Sequence, residues 1–245
     1  MRRRALPIAE VWRRALERGA CVLGERGLLG CDGFQYLAQR LGPDGSEDAA
    51  RAVEFLVREL EVGLLDETEP VEWLRKKAIA RYRLVLPLWV AGSRAPRDAL
   101  ADLALRHVGP GDPEGPKVLR TPSACPGECV TYGNLPDALM AADGDTLIVT
   151  EGWADYLVMR AGGQSRAVVG LFSASTADGF ARALVGEAAM LRREGVAGFR
   201  ELVFVCQSGE AANARAYDRI HASLAAAGIR PRIKEFDPSG CEADS

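Results

Sequence analysis

The sequence predicts an α/β protein: a mainly helical amino-terminal region, a mixed helical and β segment, then a largely parallel four-stranded sheet flanked by helices. Three observations carry this expectation. From Asp145 onward, short apolar runs alternate with amphipathic stretches, the pattern of parallel strands joined by helical crossovers. Ahead of Tyr82 the apolar residues recur at helical spacing instead. At 245 residues and 48% hydrophobic, the chain can bury one substantial core or two small ones. The boundaries read as 1–77 for the helical region, 78–143 for the mixed segment and 144–245 for the sheet domain.

Ile8, Val11, Trp12, Ala15 and Leu16 share one helical face, with arginines and glutamates opposite, which predicts an amphipathic helix over 8–18. Gly19 to Gly33 reads as interrupted, Phe34 to Leu41 as a short helix ended by Gly42-Pro43, and Ser46 as the cap of a helix through Leu60. Leu84 to Val90 has strand composition, with Pro87 pointing to an edge or a bulge. A second strand is expected around Leu103 to Val108, followed by a long Pro- and Gly-rich loop from Gly109 to Gly127. In the last domain, strands are expected at 146–150, 167–171, 202–206 and 232–236, with helices near 154–161, 176–194 and 211–227.

Composition narrows the function classes. No apolar run approaches the ~20 residues that cross a bilayer, and basic Met1-Arg2-Arg3-Arg4 leads to Pro7 and Glu10 rather than an apolar signal core. A cytoplasmic protein without membrane contact is expected. The six cysteines lack the dense spacing of a disulfide scaffold, so reduced thiols are expected. Cys125 and Cys129 form the one close pair, but His107 and His221 leave no second pair of zinc ligands nearby. A net charge of -3 excludes a protein coated in basic charge, so any nucleic-acid contact must be local. The first 45 residues hold eight arginines against five acidic residues, either a solvated helix face or a phosphate-contacting arm. No catalytic triad can be ordered from the two histidines, and no phosphate-binding P-loop occurs.

The segment Leu147-Ile148-Val149-Thr150-Glu151-Gly152-Trp153-Ala154-Asp155 puts a carboxylate at the carboxyl end of a buried strand, where open parallel sheets place their ligand sites. Gly152 permits the sharp turn into the next helix, and Asp155 falls in its first turn. Glu151 and Asp155 can therefore face one crevice and share a Mg²⁺ ion. Alternatively, Asp155 complements the helix dipole and Glu151 is a solvated loop residue.

Glu151-Gly152-x-x-Asp155, with the helix ending at Ala161-Gly162-Gly163, resembles the first motif of the Toprim domain shared by primases, topoisomerases and related nucleases. Upstream, Arg83 through Leu88, Arg106, Pro116-Lys117-Val118-Leu119, Thr121-Pro122 and Tyr132-Gly133 follow in the order of similar elements in the bacterial-type DNA primase core. The turn Ser173-Ala174-Ser175-Thr176 stands where primases have a Gly-Thr turn, with Phe172 in place of the glycine. The resemblance covers roughly 50–245 and implies a Toprim-like four-stranded sheet preceded by a primase-core-like segment. It also implies that Arg83, Arg106, Lys117 and Arg120 border a groove for nucleic acid, single-stranded DNA or RNA foremost, or for a nucleoside triphosphate. Arginine fits phosphate with two parallel hydrogen bonds. The competing reading of the same side chains is salt bridging with Asp98, Asp102 and Glu114.

The departure from the family is at its Asp-x-Asp pair. Aligning the helix start Glu210-Ala211-Ala212 places Gln207 and Gly209 at the two aspartate positions, and neither brings the charged oxygen that Mg²⁺ prefers. Glu151 and Asp155 are then vestigial or partial catalytic residues, and no cofactor is expected. Mg²⁺ or Mn²⁺ would bind only if Glu210, Glu242 and Asp244 rebuilt a site with Glu151. The zinc ribbon and helicase-binding domain of cellular primases are expected to be absent. The expected role is thus an accessory in replication, repair or a mobile element, with a protein partner from one of those systems. The alternatives are an active primase or nuclease with rearranged ligands, and a protein-interaction scaffold.

Overall fold

The computed structural model describes residues 8–26, 32–41, 47–65, 83–92, 100–108, 118–121, 128–142, 144–161, 166–205, 211–230 and 232–236. They belong to two units, one made of Met1–Pro87 with Ala101–Pro126, the other of Leu88–Leu100 with Gly127–Ser245.

In the first unit the helical spacing yields α1 (Ile8–Arg26), α2 (Asp32–Leu41) and α3 (Glu47–Glu59). Val11, Ala15, Phe34, Leu37, Val53 and Leu56 form their buried faces. Helix α1 runs past Gly19, where a break was expected, and the reason is local. A Cβ on Gly63 would lie 2.7 Å from the Ala15 carbonyl carbon, and one on Gly19 3.4 Å from the Val62 carbonyl oxygen. The two glycines let the helix approach the short strand β1 (Gly63–Leu64) at backbone distance. On the opposite face, Glu10 receives Arg13 at 2.8 Å and Arg14 at 2.7 Å, so these two N-terminal arginines belong to a solvated, ion-paired face.

Strand β1 pairs antiparallel with the start of β2 (Leu84–Val90), Leu64 opposite Leu84. Pro87 lies between the residues registered with β1 and those, Trp89 and Val90, registered with β5 (Val130–Tyr132). The expected second strand forms as β3 (Leu100–Arg106) and pairs antiparallel with β4 (Val118–Arg120), which rises within the predicted long loop.

The second unit holds β5, α4 (Leu135–Ala141), β6 (Thr146–Thr150), α5 (Trp153–Ala161), β7 (Val168–Leu171), α6 (Ala177–Arg193), β8 (Glu201–Val205), α7 (Ala211–Ala226) and β9 (Arg232–Phe236). Strand β5 is antiparallel to β7, whereas β7, β6, β8 and β9 are parallel in that spatial order. The sheet is therefore mixed. Period-two alternation sends Leu147, Val149, Val169, Leu171, Leu202 and Phe204 to one face, in a core closed by α4, α6 and α7. Helix α5 covers the other face, where Gly170 meets Tyr156. Among the described residues, no helix is long and apolar enough to cross a membrane.

Candidate functional site

The connections leaving β6 and β8 diverge: α5 carries the chain to β7 on one face, and α7 carries it to β9 on the other. Neighbouring parallel strands whose connections part in this way open a crevice at their carboxyl ends. Thr150 and Val205 are in register at those ends, and the Glu151 N–H donates to the Val205 carbonyl at 3.2 Å. Glu151 thus stands, half-buried, at the mouth of the crevice. Gly152 accepts the Thr150 hydroxyl at 3.2 Å and the Tyr156 N–H at 3.1 Å through its carbonyl, which sets the turn into α5. Asp155 sits half-buried in the first helical turn, and burial pushes its carboxyl above the ordinary aspartate value.

An aromatic group that sequence reading missed adjoins this edge. Tyr132 and Tyr156 stack with ring centroids 6.2 Å apart, and Phe172 lies 6.1 Å from Tyr132 at 37°. Two glycines make room for them. A Cβ on Gly170 would lie 3.0 Å from Thr150 Oγ1 and from Tyr156 Cβ, and 3.1 Å from Tyr132 Cβ. Gly133, at φ +78°, has the Tyr156 hydroxyl 2.8 Å from where its Cβ would be. The three rings come from positions far apart in sequence, so no local spacing announces them. Beyond Phe172 the chain makes a one-turn 3-10 segment (Ala174–Thr176), with Ser173 and Ser175 hydroxyls 2.7 Å apart and Thr176 Oγ1 donating to the Ser173 carbonyl at 2.7 Å.

A divalent ion of the kind used in phosphoryl transfer needs several hard oxygen ligands around it. Among the described residues, no three His, Cys, Asp or Glu side chains are grouped to hold a metal. The sequence leaving β8 reads Cys206-Gln207-Ser208-Gly209-Glu210. Gln207, Gly209 and Glu210 lie outside the described residues, as do Glu242, Asp244, Cys125 and Lys117. Among the described residues, Glu151 and Asp155 bring two carboxylates to this edge, fewer than a two-metal cradle needs.

The expected basic residues that are described belong to the first unit. Arg83 precedes β2 and is half-buried, its carbonyl accepting the Leu65 N–H at 2.8 Å. Register places Ala104 opposite Arg120 and Arg106 opposite Val118, so Arg106 and Arg120 project from the same face of the β3–β4 pair. Each has an internal partner. Arg120 Nε donates to Asp102 Oδ2 at 2.5 Å, and a second guanidinium nitrogen contacts the same oxygen. Asp102 is fully buried. Arg106 donates to the Tyr36 hydroxyl at 2.8 Å with its guanidinium carbon 5.7 Å from the ring centre. Asp102 was one of the carboxylates open to salt bridging in the sequence, whereas nothing in the sequence singled out Tyr36.

No family model and no curated protein matches the sequence. Two solved structures share its fold. The crystal structure of the Aquifex aeolicus primase, zinc binding and RNA polymerase domains, superimposes with a TM-score of 0.52 at 15% identity, covering 94% of this chain. This chain spans 56% of the length of that one. The DnaG catalytic core superimposes with a TM-score of 0.58 at 17% identity, covering 96% of this chain and 73% of its own. At these identities the likeness is one of fold, and the chain has a mixed α/β fold similar to that of primase cores.

Proposed function

We propose that this chain is a divergent Toprim-type, primase-like protein that binds nucleic acid or a nucleotide and performs no efficient metal-dependent chemistry. The observation that carries the reading is the crevice between β6 and β8, at which Glu151 stands while the sequence leaving β8 offers Gln207 and Gly209 instead of a carboxylate pair. In-line phosphoryl transfer relies on metal ions to offset charge developing on the phosphate, and those ions rely on fixed carboxylates. A protein without them keeps the shape of the fold and its capacity to bind.

Phosphate contact is assigned to Arg83, Arg106, Lys117 and Arg120. Their contributions differ. The Arg120–Asp102 pair is neutral as a unit, so Arg120 offers directional donors rather than net charge. Single-stranded nucleic acid is the ligand proposed, and the role is that of an accessory in DNA replication, repair or a mobile element, in partnership with a protein of that system. The testing experiment is a Mg²⁺ and Mn²⁺ titration followed by primer synthesis on a single-stranded template with nucleoside triphosphates. The expected result is no primer product at any metal concentration. Robust synthesis that disappears in Glu151→Gln would overturn the reading and point to Glu210, Glu242 and Asp244 as replacement ligands.

A further inference from the structure

Strand β7 ends at Leu171, and the alternation that turns Leu171 into the core turns Gly170 and Phe172 to the opposite face. At Gly170 the missing side chain is replaced by Tyr132 and Tyr156, which pack against that position. Phe172 comes one step further, just past the carboxyl end of the strand, and remains only half-buried. Its ring is supported from within by Tyr132, which is itself stacked on Tyr156. Both tyrosines are buried, at 1% and 6% exposure, so the support is fixed. Beside the ring, the Ser173 and Ser175 hydroxyls hydrogen-bond to each other at 2.7 Å, and Ser175 is exposed. The strand end that carries Phe172 neighbours the one that carries Glu151, since Thr150 and Gly170 are in register.

From this juxtaposition we infer that Phe172 is a stacking platform for a base of single-stranded nucleic acid, with the Ser173 and Ser175 hydroxyls placed to bond the sugar or phosphate of the stacked nucleotide. The inference deepens the nucleic-acid reading above and rests on it. An aromatic ring at the rim of a sheet, braced by buried rings, meets the geometric need of stacking: a π face held in place at no further entropic cost. Because every base has a π face, the contact is tolerant of sequence. Because it is uncharged, it contributes affinity without contributing to the salt dependence.

The test is equilibrium anisotropy of a fluorescein-labelled oligo(dT) of about 16 nucleotides, measured over a salt series with the full chain and its variants. Phe172→Ala is expected to weaken binding on the order of 5- to 150-fold while leaving the slope of log affinity against log salt unchanged. Phe172→Tyr is expected to restore most of the affinity. Should Phe172→Ala fail to fold, Phe172→Leu keeps apolar volume without a π face, and its melting curve shows whether the fold is intact. A single 2-aminopurine in the oligonucleotide gives a second readout: its emission falls on binding the parent and not on binding the leucine variant. A folded Phe172→Leu or Phe172→Ala protein that binds as tightly as the parent would overturn the platform and leave Phe172 as a cap on the two tyrosines. Absence of binding by the parent itself would overturn the nucleic-acid reading, and the platform with it.

Discussion

Replacing Arg120 by alanine removes the guanidinium that contacts Asp102, a carboxylate with no solvent exposure, while Arg120 itself retains 28%. Truncating one member of a buried, hydrogen-bonded ion pair costs about 3–5 kcal/mol, because the remaining charge is left desolvated. That is a large fraction of the ~5–15 kcal/mol that holds a typical domain folded. Arg120→Ala is therefore expected to lose about 3–5 kcal/mol in urea unfolding followed by circular dichroism. Asp102→Asn in the same chain removes the buried charge, so the double variant is expected to recover part of the loss, with a coupling of about 2–3 kcal/mol. An Arg120→Ala protein within about 1 kcal/mol of the parent, with no coupling to Asp102→Asn, would refute the buried-pair argument. The result also bears on function, since the measured stability separates a weakened fold from a lost phosphate contact when Arg120→Ala weakens nucleic-acid binding.

Gly133→Ala forces a side chain into a left-handed backbone conformation and against the Tyr156 hydroxyl, and a loss of about 2–5 kcal/mol in urea unfolding is expected; unchanged stability would contradict the close approach. Burial raises the folded-state pKa of Asp155, so the stability it contributes is full below the unfolded-state pKa and is lost as pH rises through the folded value. Asp155→Asn is thus expected to be more stable than the parent at pH 7, with the advantage gone by about pH 3 in thermal melts. A variant less stable at neutral pH would argue against desolvation as the dominant influence. The double change Gln207→Asp and Gly209→Asp is expected to raise Mn²⁺ affinity in isothermal titration, without guaranteed catalysis, because the surrounding groups must also orient the ligands; unchanged affinity would sink the alignment of these two positions.

The strands of the second unit were legible because strands covered on both faces read as continuous apolar runs, and four such runs stand between helix-patterned stretches. Strands β1 and β5, with two and three residues, are too short to show a period. Helix α1 was cut short in the sequence because glycine reads as a breaker; Gly19 is instead a contact residue, kept small by the Val62 backbone. The position of Glu151 at a strand end followed from local order. The pairing of Arg120 with Asp102 did not, because it depends on the register that sets Ala104 against Arg120 across a connection the sequence cannot align. The meeting of the Tyr132, Tyr156 and Phe172 rings was invisible for the same reason: β5 must first be placed beside β7, Tyr132 opposite Gly170.

Whether binding survives without metal is the most direct test of the central claim. Oligo(dT) anisotropy measured across a salt series, once in EDTA and once in Mg²⁺, is expected to show binding in both, with log affinity in EDTA falling by about 0.7 per decade of salt for each phosphate neutralised. No binding in either buffer, or binding that appears only with Mg²⁺, would contradict a primase-like protein that binds nucleic acid without a metal centre.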